Sequence, residues 1–125
     1  MLRVRDIMHA GDEIPLVSPD VRMSDAILVM TAKSFGCVGV CDAGGRLIGV
    51  ITDGDLRRHM GAELLERTVT EVMHRKPKTI SSAALAVDAL GLMNRFAITA
   101  LFVFDEDRRP IGFLHMHDCL RAGVA

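Results

Sequence analysis

Two short stretches of the chain hold the side chains best suited to chemistry. "GVITDGDLRR", Gly49 to Arg58, sets Thr52, Asp55 and Arg58 three residues apart. "GFLHMHDCLR", Gly112 to Arg121, sets His115, His117, Asp118 and Arg121 in the same frame. A carboxylate accepts two hydrogen bonds from a vicinal diol, and a hydroxyl or a guanidinium beside it suits a ribose or a phosphate. Thr-x-x-Asp is equally the pattern of a helix capping box, which needs no ligand. The second stretch favours the ligand, since the aspartate persists at Asp118 where His115 replaces the threonine.

The histidines carry alternatives of their own. His-x-His on a strand puts both rings on one side, a possible metal pair that His74 could complete. A ring bonded to a phosphate or a carboxylate, or a helix-start histidine with no ligand, fits the same residues. His115 with Asp118 could act as a general base pair, but no nucleophile or phosphate loop accompanies them. Arg57, Arg58 and Arg121 read as solvated charge, as phosphate contacts or as pairs across a dimer interface.

The composition narrows the function classes. The 125 residues carry 15 Lys and Arg against 16 Asp and Glu, a net charge of −1. That balance argues against a nucleic-acid partner, which selects for a basic face. Five Phe and no Trp or Tyr also leave base-stacking platforms poorly supplied. No apolar run is long enough for a membrane span, and "MLRVRDIM" lacks the apolar stretch of a secretory signal, so a cytoplasmic protein is expected. Cys37, Cys41 and Cys119 are odd in number and lack zinc-site spacing, which predicts buried reduced thiols.

The elements that must position these residues come from a tandem repeat. Shifted by 63 positions, Val17 to Arg58 lies on Ile80 to Arg121 without a gap, matching Ser18 to Ser81, Asp25 to Asp88, Met30 to Met93, Asp55 to Asp118 and Arg58 to Arg121. "VRDIM" at Val4 matches "VTEVM" at Val69 at a shift of 65. Two repeats follow, residues 1–61 and 62–125. In each, a short helical turn precedes a brief strand (Ile14 to Val17 in the first). A helix with apolar residues at helical spacing comes next, with Ser18 or Ser24 as cap and Pro19 early in it. "CVGVCD" and "RLIGVIT" read as strands around an "AGG" turn, and "DGDLRRHM" opens a helix. The expected class is α/β, of the α+β kind: two β-α-β-β-α repeats packed about a pseudo-two-fold axis, with clefts where strand ends and helix starts converge. Met8, Met30, Met73 and Met93 recur at matching positions and read as core filling.

The tandem Gly-apolar-apolar-Thr-x-x-Asp pattern resembles a pair of CBS domains, a Bateman module, over nearly the whole chain. "TDGDLRR" and "LHMHDCLRAGV" are similar to the C-terminal half of arabinose 5-phosphate isomerases of the KpsF/KdsD type, enzymes of Kdo and lipopolysaccharide synthesis. The resemblance implies a regulatory module and not the catalyst, which in that family is a preceding sugar isomerase (SIS) domain. The repeat begins at residue 4, so the chain is expected to be a fragment, not itself an enzyme. The resemblance further implies ribose hydroxyls on Asp55 and Asp118, Thr52 facing ribose or phosphate, and a base against Phe35, Cys37 and Val38 or Thr99 and Ala100. His115 departs from the usual Ser or Thr, so the two sites need not be equivalent. The implied effector is a nucleotide or a CMP-Kdo-like nucleotide sugar, with no cofactor. The implied partners are the SIS domain and a second copy in a homodimer. A ligand-free oligomerisation module is the alternative.

Overall fold

The computed structural model describes residues 1–124. Helix α1 (Val4–Ile7) opens the chain and a 3-10 turn (Gly11–Glu13) follows. Then come β1 (Leu16–Val17), α2 (Met23–Lys33), β2 (Cys37–Cys41), β3 (Leu47–Thr52) and α3 (Asp53–Arg58). After a second 3-10 turn (Leu64–Glu66), the order recurs as α4 (Val69–Val72), β4 (Thr79–Ser81), α5 (Ala86–Phe96), β5 (Ala100–Phe104), β6 (Gly112–His115) and α6 (Met116–Arg121). The strands form two three-stranded sheets, β1-β2-β3 and β4-β5-β6. In each, the first pair is parallel and the second antiparallel. The mixed α/β class and the β-α-β-β-α order are therefore those expected.

Apolar spacing builds the long helices. Met23, Ala26 and Met30 bury one face of α2, and Ala86, Ala89, Leu90 and Met93 bury one face of α5. Their starts differ from the sequence expectation. Arg22, not a serine, precedes α2, and the Met23 N–H is satisfied by the Arg67 carbonyl at 2.8 Å. Ser18 instead bonds Asp20 (2.9 Å) in the turn ahead, which holds Pro19 outside the helix, and Ser24 sits within the first turn. The strand expected over Ile14 to Val17 shortens to β1.

The compact units do not follow the repeats. One is Pro15–Pro77; the other joins Met1–Ile14 to Lys78–Ala125. Ala125, the last residue expected in the second repeat, lies outside the described residues. Each unit thus takes the short leading helix of the other repeat. In the first, His74 pairs with Val50 through two backbone hydrogen bonds of 3.0 Å. In the second, His9 pairs with Phe113 at 2.8 and 2.9 Å. The repeats expected at 1–61 and 62–125 are units of sequence, and the exchange arises because β3 and β6 expose an edge that the leading segment can pair.

Glycine makes this close approach possible. A Cβ on Gly112 would fall on the Met8 sulfur and 3.1 Å from the His9 carbonyl oxygen; one on Gly49 would fall on the Met73 sulfur and 3.0 Å from the His74 carbonyl oxygen. Met8 and Met73 are therefore packing knobs over glycine, a closer definition of the core role expected for them. Met73 joins the core of the first unit with Met23, Val38 and Ile51, while Met8 packs on that of the second with Val4, Leu101 and Leu114.

The exchange is checked by adding one methyl group. Gly112→Ala is expected to lower stability by roughly 1–3 kcal/mol through overpacking, as read by chemical denaturation. Pairing it with Met8→Ala should restore part of that loss. No difference between Gly112→Ala and wild type would refute the packing described.

Candidate functional site

Each unit holds one of the two motifs at a strand-to-helix junction. In the first, Thr52 ends β3 and Asp55 lies in the first turn of α3, where the two form a reciprocal capping box. Asp55 is 2 % exposed. Its Oδ2 accepts the Thr52 N–H (2.9 Å) and the Thr52 hydroxyl (3.1 Å), and lies 2.9 Å from His74 Nδ1. Its Oδ1 accepts a short bond from Arg58, one turn on. Oδ2 thus carries three of these contacts and Oδ1 one, so both oxygens are partnered within the protein.

The second unit repeats the plan with different chemistry. Asp118 Oδ2 accepts the His115 N–H (2.8 Å), while Oδ1 takes Arg121 (2.6 Å) and His9 Nε2 (2.9 Å). His115 Nδ1 accepts the His117 N–H at 3.1 Å, so an imidazole supplies the cap that Thr52 supplies in the first unit. This corrects the sequence argument. Capping uses the aspartate in both repeats, because Asp118 binds a backbone N–H that exists whatever the side chain. The persistence of the aspartate therefore does not separate ligand from cap.

The remaining candidates fall as follows. Cys37 is the sheet partner of Thr52, and Ala100 that of His115, so each strand entrance does face its motif. Thr99 is exposed, and its carbonyl accepts the Met116 N–H at 2.8 Å. Phe35 is half-buried just ahead of β2, whereas Val38 is fully buried within the core of its unit. Cys37 is buried too, and burial pushes its thiol up to about 12; Cys41 is pushed up to about 11 for the same reason. All three cysteines are free thiols. His117 lies in α6, not on a strand, with its ring centroid 4.6 Å from that of His115. His74 is engaged with Asp55, and among the described residues no three His, Cys, Asp or Glu side chains are placed to hold a metal.

The profile of the CBS domain family matches residues 4–62 and again 69–125. The chain belongs to the CBS domain family. Its two CBS repeats are 50 % identical to the arabinose 5-phosphate isomerase KdsD of Yersinia pestis, over 99 % of this chain and 38 % of that protein. The chain thus spans about two fifths of the length of that relative. Among solved structures, the CBS-pair protein CBSX2 of Arabidopsis thaliana in complex with AMP superposes with a TM-score of 0.85 at 24 % identity, covering 98 % of this chain and 96 % of that one. The CBS domain pair of MJ0100, solved with 5′-methylthioadenosine and S-adenosyl-L-methionine, gives 0.84 at 21 %, covering 98 % and 96 %. At these identities both show the fold.

His9 is passed over in the sequence reading, and His74 is not connected there with an aspartate. His9 and His74 each follow a repeated methionine ("DIMH" and "EVMH"), and each bonds the motif aspartate of the other CBS repeat. Their recurrence at a shift of 65 was the available signal; the exchange of leading segments was not. His9 is also 2.6 Å from Glu13 through Nδ1. Burial alone would lower the His9 ring, but its bonds to Glu13 and Asp118 and their charges raise it above the ordinary value. His115 goes the other way, lowered by burial and by His117, as its accepting Nδ1 requires.

Burial would raise the Asp55 carboxyl, yet the Thr52 N–H, His74 and Arg58 together hold it below its ordinary 3.8. A depressed carboxyl stabilises the fold above its unfolded value, and that contribution is lost as pH falls through the folded one. Asp55→Asn should therefore cost on the order of 1–3 kcal/mol near neutrality, since it removes charge-assisted bonds. Thermal melts should show the gap from wild type closing as pH drops below 3.8. A gap independent of pH would remove the carboxylate charge from the account.

Proposed function

We propose that this CBS pair is a regulatory module that binds a nucleotide or nucleotide-sugar-like anionic metabolite. In this reading it controls an SIS-type arabinose 5-phosphate isomerase domain in the cytoplasmic synthesis of Kdo and lipopolysaccharide. One observation carries the reading: both repeats set a buried carboxylate, flanked by an arginine and a hydroxyl or imidazole, beside the entrance of a sheet strand. Such a group suits hydroxyls that donate in pairs, and the neighbouring arginine suits a phosphate. The AMP bound by CBSX2 and the adenosyl compounds bound by MJ0100 support a nucleotide; the similarity to KdsD supports the enzyme. A ligand that prefers one conformation of the pair would shift its population, and that bias reaches the attached enzyme. Among the described residues, no helix is long and apolar enough to cross a membrane.

Isothermal titration with AMP, ATP, S-adenosylmethionine and CMP-Kdo tests the ligand. Saturable binding of at least one is expected, weakened about tenfold or more by Asp55→Asn or Asp118→Asn, with melts confirming that each variant is folded. Failure of the wild type to bind any of the four would end the nucleotide reading.

A second reading is favoured by the surface of the first unit. Leu28 (67 % exposed), Met60 (71 %) and Leu65 (56 %) stay in solvent, and Met60 borders a concavity of about 380 Å³ with Leu64 and Arg67. Such residues suit an oligomerisation module acting through a homodimer. Sedimentation velocity decides it: a dimer that Leu28→Glu reduces to monomer, with no metabolite raising the melting temperature, would favour assembly over ligand binding.

A further inference from the structure

The Asp118 carboxylate is already shared among protein groups. A vicinal diol donates to both carboxylate oxygens, and here the two are unequally committed. Oδ2 receives one backbone N–H, that of His115, and keeps an acceptor position. Oδ1 is filled by Arg121 and His9. A diol that spans both oxygens must therefore displace one of these two. A guanidinium is not deprotonated in proteins, so no change of pH loosens Arg121. His9 can lose its proton.

The geometry around His9 makes its hold conditional on a proton. Nδ1 is 2.6 Å from Glu13 and Nε2 is 2.9 Å from Asp118. An imidazolium donates from both nitrogens, whereas a neutral ring has a single N–H and must abandon one carboxylate. The Glu13 bond is the shorter and closes within the same segment, four residues apart. The bond to Asp118 is then the one given up. Among the described interactions, the charged and titratable groups facing this cluster include Glu13, Asp118, Arg121, His115 and His117. The first unit lacks the arrangement: four residues after His74 stands Lys78 where Glu13 follows His9.

We propose that His9 is a proton-controlled clasp on Asp118, which as an imidazolium bridging Glu13 and Asp118 competes with a diol ligand and as a neutral ring yields the carboxylate to it. The proposal rests on the ligand reading given above and adds its regulation: the two CBS repeats take the same ligand with different pH dependence. Ligand binding at Asp118 lowers the His9 titration point and releases a proton, so affinity rises with pH in the range where His9 loses its charge. The clasp also fastens the segment Ala10–Ile14, along which the chain passes to the other unit, so an occupied Asp118 frees that segment from its side-chain tie.

The test uses AMP as the probe, with wild type, His9→Ala and Asp118→Asn compared by titration calorimetry at about pH 6 and about pH 8, either side of the ordinary histidine range. His9→Ala is expected to bind AMP about three- to tenfold more tightly than wild type at the lower pH, with the advantage shrinking at the higher. Comparing the two proteins at each pH cancels the titration of the AMP phosphate itself. In histidine NMR spectra, the His9 ring should titrate above 6.5 in the free protein and move down when AMP saturates the site. Equal affinity of wild type and His9→Ala at both pH values, with Asp118→Asn still weakening AMP, would overturn the clasp and leave the ligand reading intact. No AMP binding by any of the three proteins would overturn the clasp as a control on AMP, while the nucleotide reading stands or falls on the four-ligand titration above.

Discussion

A carboxylate closed off from water must have its charge answered by the protein, and Asp55 shows what that demands. Burying an unpaired charge costs several kcal/mol, so the group is tolerable only with protein partners on both of its oxygens. Its partners come from three places in the chain: the cap residue Thr52, Arg58 in the next turn, and His74 in the segment that follows. One side chain thereby fixes where β3 ends, how α3 leaves it, and where the second repeat begins its run. Asp118 imposes the same demand on β6, α6 and the first residues of the chain.

The two halves obey one plan and fill it with unlike groups. A hydroxyl caps α3, and an imidazole caps α6. The difference reaches beyond capping, since a hydroxyl is indifferent to pH near neutrality and His115 is not. His115 must stay neutral to accept from the His117 N–H, while His9, on the opposite side of the same carboxylate, is stabilised as the cation. One aspartate thus lies between two histidines whose titrations are pushed in opposite directions, His9 up and His115 down.

The repeat, the order of elements and the strand entrances were all legible in the sequence, because they rest on local spacing. Cys37 faces Thr52 and Ala100 faces His115 simply because each hairpin closes in register. What rested on distant pairing was hidden. The start of α2 looked like a serine cap, yet a carbonyl from Arg67 satisfies it. His74 was weighed only as an addition to the His115 and His117 pair and His9 not at all, yet both bond carboxylates, because each leading segment crosses to the other repeat before it docks. Val38, named through the family resemblance, lies on the face of β2 that packs into the core of its unit. Local pattern names the residues in a site; only the chain path shows which repeat supplies them.

That path also sets an order of events during synthesis. The unit Pro15–Pro77 is one continuous stretch, so its core can close soon after its last residue leaves the ribosome. The other unit needs α1, made before that stretch, to wait for β6, made after it, before Val4 and Leu114 can share a core. Its contacts reach across the whole of Pro15–Pro77, and closing so long a loop slows folding. For that interval, the apolar face of α1 and the edge of β6 are both unpaired. The second unit is thus the slower to form and the more open to capture by a neighbouring nascent chain.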